Sequence, residues 1–482
     1  MTALVIRGAE VEGRLVDVRI EGDRVAAVTG SASTRSAATR GRVGAPAGRD
    51  DDIDAGGGAL LPGLHDHHIH LLALAAAARS VKVGPGEVGG SDGFARALST
   101  ADAALEPDRW LRAVGYHESV AGPIDRHALD AIVPGRPVRV QHRGGAMWVL
   151  NSAALAAIGL LEPDAAPPSG VERTTGGGVT GRLFGLDAWI GQRVPREPLD
   201  LAGVGRSLLD LGVTGVTDAT PIDQGDDLDV LAAAVAAGDL VQQVVVTGGL
   251  GLDPRSGAAL ERGPVKLVVA DHRLPSLDDL AGAMADAHRR GRAVAVHCVT
   301  RVALLLALAA WDEVGPRSGD RIEHGAVVHP EEAVRIAGHG LTVVTQPAFV
   351  AERGDDYLAD VEAEDRPYLW PCAGLLRAGI AVGGSTDAPF GPADPWQAIA
   401  AAVERRTAAG HVLGPDERLD ARRALDLFLG TPHAPGGPPR RIVPGAPADL
   451  CLLAVPLHEA LGAPSADLVA ATVRAGRLTP RR

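Results

Sequence analysis

Eight short apolar, β-branched runs recur along the middle of the chain, separated by Ala- and Leu-rich stretches of helical character, and this rhythm constrains the fold more than any other feature. The runs are ALLPGLHDHHIH, GVTGVTDAT, VQQVVVTGG, PVKLVVA, AVAVHCV, RIEHGAVV, LTVVTQP and IAVGGSTDAP. Strands that are apolar on both faces and alternate with helices suit a parallel sheet, because each crossover helix covers a sheet face. Eight such units predict an α/β fold, a (β/α)₈ TIM barrel in preference to an open doubly wound sheet. A barrel gathers its chemistry at the C-terminal ends of its strands. Polar residues stand there: His68 and His70 close the first run, His297 closes the fifth, His324 lies in the sixth and Asp387 closes the eighth.

At 482 residues the chain exceeds what one hydrophobic core usually supports, so a second, smaller domain is expected. Residues 3–29 alternate apolar and polar with Gly-containing turns, as a β-meander does, and PGAPADLCLLAVP and LVAATVRAGRLTP near the other end read as further strands. These pieces predict a small β-sandwich built from both termini, residues 1–56 and 440–482, beside a barrel over 57–439. From Gly30 to Asp52 the chain is rich in Ser, Ala, Thr, Gly and Arg without a hydrophobic period, which predicts a mobile surface loop. A stretch at about 80–205 interrupts the βα rhythm between the first two barrel strands. It holds strand-like RPVRVQH, helical NSAALAAIGLL and the Gly/Thr-rich loop TTGGGVTG, and is expected to cover part of the barrel mouth and shape a substrate pocket.

Hydrophobic residues make up 46% and charged residues 22%, which excludes global disorder. The formal net charge of −13 opposes nucleic acid and anionic membrane surfaces, so the expected partner is a small molecule, and self-association into a homo-oligomer is compatible with the composition. No run of 18 apolar residues occurs, and the start MTALVIRGAEVEG lacks the basic segment and apolar core of a secretion signal, so the expected location is cytoplasmic. Cys298, Cys372 and Cys451 are too few and too scattered for a disulfide framework or a Cys-based zinc site, and are expected to be reduced core residues.

In an extended strand, residues two apart point the same way, so His68 and His70 can reach one metal ion. Asp66 adds a carboxylate behind them, whereas His65 and His67 should face the other side in structural roles. His297 and His324, each taken alone, read more simply as hydrogen-bonded core histidines. Their recurrence at one barrel rim favours ligation instead. Among 47 basic residues only Lys82 and Lys266 are lysines. Arginine serves equally well for a solvated charge, so Lys266 suggests use of the amine itself, as a CO₂-carboxylated metal bridge or as a Schiff base, while Lys82 reads as a solvated side chain. Asp387, in GGSTDAPF, sits where a strand ends in a turn. An aspartate there is ordinarily a turn former, but opposite the histidines it can ligate a metal and move a proton.

Taken in order, PGLHDHHIH, Lys266, AVAVHCV, RIEHG and GGSTDAP resemble the amidohydrolase superfamily. GRLFGLDAWI, NSAALAAIGL, TQPAF, RPYLW with LLRAGIAVGGSTDAPFGPADPW, and PGAPADLCLL are similar to its YtcJ-like, amidohydrolase 3 group, which includes N-substituted formamide deformylase. The chain departs from that pattern at Arg143-Gly144-Gly145-Ala146, where many relatives carry Ser-Gly-His, and at Ala270-Asp271-His272, where Asp-Gly often follows the lysine strand. The resemblance implies His68 and His70 as ligands of a buried metal, Lys266 as a carboxylated bridge, His297 and His324 as further ligands, and Asp387 as ligand and proton shuttle. One or two divalent ions are expected, with Zn²⁺ preferred because imidazole-rich sites of low coordination number suit it.

The expected reaction is hydrolysis of a C–N bond of a small molecule, in an amide, formamide or cyclic amide, by metal-activated water, with Asp387 and His324 as catalytic residues. Two alternatives compete. A heterocycle deaminase on the same scaffold needs an acid near the ring nitrogen, and strand alternation turns Glu323 away from His324. A non-catalytic metal-binding subunit would have a broken ligand set, whereas this one is complete. Arg143, Trp148, Gln346 and Tyr368 are the candidate pocket residues.

Overall fold

The computed structural model describes residues 3–31, 51–162, 167–222, 226–253, 260–271 and 273–481. The loop expected from Gly30 to Asp52 falls almost wholly outside these residues. The chain divides into two compact units, one made of Met1–Leu72 with Leu201–Arg482 and the other of Ala73–Asp200.

In the larger unit eight parallel strands run in chain order around one sheet: β1 (Leu64–Ile69), β2 (Val213–Ile222), β3 (Gln243–Gly248), β4 (Leu260–Val268), β5 (Val294–Cys298), β6 (Arg321–His324), β7 (Thr342–Thr345) and β8 (Ala381–Gly384). Consecutive valines such as Val244, Val245 and Val246 are all buried, as a sheet covered on both faces requires. Hydroxyl side chains start the helices that follow β4 and β5: Ser276 accepts the backbone N–H of Asp279 to open Leu277–Arg289, and Thr300 accepts that of Ala303 to open Arg301–Val314. Just ahead of β6, the buried carboxylate of Asp320 accepts the backbone N–H of Val294 at 2.9 Å and the indole N–H of Trp311 at 2.9 Å, which ties β5 and the helix after it to β6.

The seam between β8 and β1 is closed by the residues just beyond β8. The N–H of Asp387 donates to the carbonyl of His68 at 2.8 Å, and the N–H of His70 donates to the carbonyl of Ala388 at 2.9 Å. Asp66, on β1, accepts the backbone N–H of Thr386 at 3.1 Å and also its hydroxyl.

The first apolar run is not one strand. Leu60–Pro62 pairs antiparallel with Leu450–Leu453 in a separate sheet, and the chain enters the barrel only after Gly63, where a Cβ would collide with the Thr214 side chain. Two four-stranded sheets from the ends of the chain, one led by Leu4–Val11 and the other by Leu450–Leu453 and Val469–Arg474, share a core that includes Ile6, Val18, Ile20, Leu60, Leu452 and Val473. Along Arg14–Glu21 the buried positions Val16, Val18 and Ile20 alternate with more exposed ones, the period of a half-buried strand.

The smaller unit is a folded body with its own sheet, in the order Val171–Arg173, Val179–Phe184, Met147–Leu150, Val138–His142, Leu111–Tyr116, Val81–Lys82. The expected strand RPVRVQH becomes Val138–His142, and NSAALAAIGLL opens as the helix Ser152–Ala157 under an Asn151 cap. The TTGGGVTG loop links two antiparallel strands. Phe94, Leu98, Leu111, Val138, Val140 and Val149 form a core of the kind an independent unit needs. Cys298, Cys372 and Cys451 are buried and unpaired. Among the described residues no helix is long and apolar enough to cross a membrane.

Candidate metal centre

The alternation of β1 separates its histidines. Asp66 and His68 face the barrel interior, while His65 bonds Thr217 through Nε2 at 3.0 Å and His67 lies against Gly383 and Gly430. His70, one residue past the strand, is held through Nδ1 by the Thr220 hydroxyl at 3.0 Å. Across the seam Asp387 takes a left-handed backbone angle, φ 55°, and its carboxylate turns back toward β1. Oδ1 of Asp387 stands 3.6 Å from His68 Nε2 and 3.2 Å from His70 Nε2.

His324 ends β6 with φ 71°, again left-handed, and so joins the same group. Its ring centroid lies 4.8 Å from that of His68 and 4.4 Å from that of His297. His324 Nε2 is 2.9 Å from His297 Nδ1, and its Nδ1 is bound by Gln346 Oε1 at 2.9 Å. The Gln346 amide is oriented in turn, since Nε2 donates to Ser385 Oγ at 2.8 Å and that hydroxyl donates to the Thr345 carbonyl. Lys266, on β4, is buried and not the solvated strand-end lysine its sequence position allows, and its Nζ has no hydrogen-bond partner among the described residues.

Burial sets the protonation states. It pushes His68 down to about 3, with the positive charge of Lys266 acting in the same direction, and it also lowers His297 and His324. These rings are neutral at pH 7, the form that binds metals. Burial alone would raise Asp387, but His70, His68 and His324 outweigh it and hold the carboxyl below the ordinary range. Burial likewise lowers the Lys266 amine, which increases the share of the neutral, nucleophilic form.

The residues fit a cation. Asp387 Oδ1 is buried without a properly directed hydrogen bond although two imidazole nitrogens lie close to it. A buried carboxylate oxygen left unpaired between two imidazole nitrogens is what a bound cation would satisfy. Two other clusters of similar composition do not fit. In the smaller unit, His117 Nδ1 and His142 Nδ1 accept backbone N–H bonds from Ser119 and Gly144, so each neutral ring carries its proton on Nε2, and His142 spends that proton on Glu118 at 3.1 Å. Near His329, the carboxylates of Glu331 and Glu332 are already bound by the Arg301 guanidinium at 2.6 and 2.8 Å.

Of the residues singled out in the sequence, His68, His70, His297, His324 and Asp387 therefore converge, and Lys266 shares the same interior. Asp66 stands behind His68, where the sequence puts a supporting carboxylate, and acts through the backbone: it braces His68 and Thr386, with burial pushing its carboxyl up to about 7. Glu323 departs from expectation. The left-handed turn at His324 breaks strand alternation, so Glu323 points inward as well and binds His68 Nδ1. Bound to both His68 and Arg321, it is not free to protonate a ring nitrogen, and the deaminase reading stays disfavoured for a different reason.

Gln346 supports His324, while Trp148 is buried and donates to Asp187 at 2.7 Å, which makes it a packing residue. Tyr368 stacks on His329 at 4.2 Å. Sequence reading turned Glu323 away from the centre and missed Thr220 and Ser385, and only Gly325, with φ 54°, hinted that β6 ends in a left-handed turn.

Comparison with known proteins is consistent with this geometry. The N-substituted formamide deformylase of Arthrobacter pascens is 26% identical, and the match covers 90% of each chain. The putative amidohydrolase YtcJ of Bacillus subtilis (strain 168) is 27% identical, over 78% of this chain and 80% of that one. The crystal structure of an uncharacterized metal-dependent hydrolase from Pyrococcus horikoshii OT3 shares the fold with a TM-score of 0.69 at 20% identity, over 94% of this chain and 96% of that one. A match to the family extends over residues 51–480, and on that match this chain belongs to the amidohydrolase family.

Proposed function

We propose that this protein is a metal-dependent hydrolase that cleaves a non-peptide C–N bond, in an amide, formamide or cyclic amide, of a small molecule. The observation that carries this reading is the convergence of His68, His70 and Asp387, with His297 and His324 beside them, around the unpaired carboxylate oxygen of Asp387 in a buried barrel interior. These residues would hold one or two divalent ions, Zn²⁺ by preference, with a carboxylated Lys266 as the bridging anion. When bound, the cation polarises the scissile carbonyl and acidifies a water molecule.

The chain's own groups do the rest. Asp387, kept ionised by the histidines around it, accepts the proton of the attacking water and returns it to the leaving nitrogen, which departs poorly as an anion. His324, fixed by Gln346 through Nδ1, presents the lone pair of Nε2 inward, where it would ligate the ion. The formamide relative, matched across nine-tenths of its length, supports an amide-type substrate. The acidic balance of the chain favours a small molecule over a nucleic acid or membrane surface.

The test is metal analysis joined to hydrolysis of an amide, formamide and lactam panel by the wild type, His68→Ala and Asp387→Asn. The wild type should carry stoichiometric metal and turn over part of the panel, and both variants should lose activity. Wild-type protein that retains metal but hydrolyses nothing would move the assignment to a non-catalytic metal-binding subunit.

A further inference from the structure

Glu323 is wholly buried inside the barrel and is not one of the converging ligands. Its Oε2 makes a short contact with His68 Nδ1, and its Oε1 accepts the Arg321 guanidinium Nε at 2.6 Å. Arg321 lies two residues earlier on β6, so the strand pleat puts both side chains on one face, and it too is buried. Burying two charges is costly, and such a pair is weak evidence for stability in itself, so its placement against one imidazole calls for a functional account. An imidazole that donates its Nδ1 proton to a carboxylate has its lone pair on Nε2, in a fixed ring plane and with raised basicity. In His68, Nε2 is the atom that faces Asp387 Oδ1.

We infer that Glu323 is a positioning residue: it fixes the tautomer and ring orientation of His68 so that Nε2 is directed at the ion, while Arg321 holds Glu323 in place. This rests on the proposed metal-dependent reading. Both oxygens of Glu323 are engaged, one by His68 and one by Arg321, so the carboxylate has a single orientation. Gln346 occupies the equivalent place behind His324 as a neutral amide, which shows that the two histidines are oriented by separate devices.

The test measures Co²⁺ affinity of the purified full-length chain by competition with a chromophoric chelator, alongside thermal unfolding of the metal-free protein. Glu323→Ala should raise the Co²⁺ Kd on the order of 10- to 100-fold. Arg321→Met with Glu323→Gln removes the competing donor and retains an oxygen that can accept the Nδ1 proton, and should restore most of that loss. Because Glu323→Ala leaves the Arg321 charge unpaired and can fail to fold, the double variant Arg321→Met with Glu323→Leu removes both charges while still leaving His68 without an acceptor. It should fold and show the same weakened Kd. Wild-type affinity in the Met–Leu double variant, or a loss in the Met–Gln double variant equal to that of Glu323→Ala, overturns the inference while leaving the metal site intact. A wild type that binds no Co²⁺ takes down the metal-dependent reading and this inference together.

Discussion

His68 and Asp387 meet twice: their backbones are joined by a 2.8 Å hydrogen bond and their side chains approach within 3.6 Å, so the same two residues close the barrel seam and furnish the candidate centre. Asp66 and Thr386, 320 residues apart, brace this junction from within. Asp66→Ala would leave the backbone N–H of His68 and the N–H and hydroxyl of Thr386 without their acceptor. A loss of about 3 kcal/mol is expected, on a scale of roughly 1–3 kcal/mol for each buried group left unsatisfied. Asp66→Asn should cost less, and urea unfolding of the two variants together with metal content checks the order.

Asp387→Asn preserves volume and backbone but gives up the proposed base. Turnover of whichever panel substrate the wild type accepts should fall about 10²- to 10⁴-fold, the usual range for one acid–base group, with the unfolding temperature nearly unchanged. Activity within tenfold of wild type would remove Asp387 from the proton-transfer role.

Lys266 separates charge from amine chemistry. Lys266→Arg keeps a cation but cannot be carboxylated, and Lys266→Ala removes both. If the lysine serves as a carboxylated bridge, both variants should lose more than about tenfold in activity, on the order of 1.4 kcal/mol or more. Added acetate or formate should partly rescue the Ala variant by supplying a free carboxylate. Full activity in Lys266→Arg would show that the amine is not used.

Acid should destabilise the metal-free protein early. His65, His67, His68, His297 and His324 are all lowered below 6.5 by burial, two of them to about 3. The unfolded chain therefore binds more protons than the folded one as pH falls below 6.5, and stability declines by about 1.4 kcal/mol per histidine for each pH unit. Asp66, raised to about 7, works the other way and offsets one of the five down to its ordinary value of 3.8. Urea midpoints at pH 7.5, 6 and 5 should drop steeply, and a flat profile would contradict the burial of these rings.

The barrel and the residues at its rim were legible because runs such as VQQVVVTGG are apolar on both faces and end in polar side chains on the same side of the sheet. Glu323 was not legible. A strict two-residue period places it opposite His324, and only the backbone turn at His324, φ 71°, brings both inward. The break in the first run at Gly63 was hidden because Leu60–Pro62 looks like the start of the barrel strand until its partner, Leu450–Leu453, is known. The sheet of the smaller unit escaped for the same reason, since its neighbours are set by pairings between distant segments such as Leu111–Tyr116 and Val138–His142. Gln346 and Trp148 showed their type but not their direction, and direction decides whether an amide lines a pocket or steadies an imidazole.

Because the carboxylate sits just past the last barrel strand and two imidazoles sit on and just past the first, a growing polypeptide emerging from the ribosome carries its histidines long before it carries Asp387. Any such fragment ending ahead of β8 lacks both the seam and the aspartate, so the candidate centre is complete only once the final strand has been translated and docked beside the first.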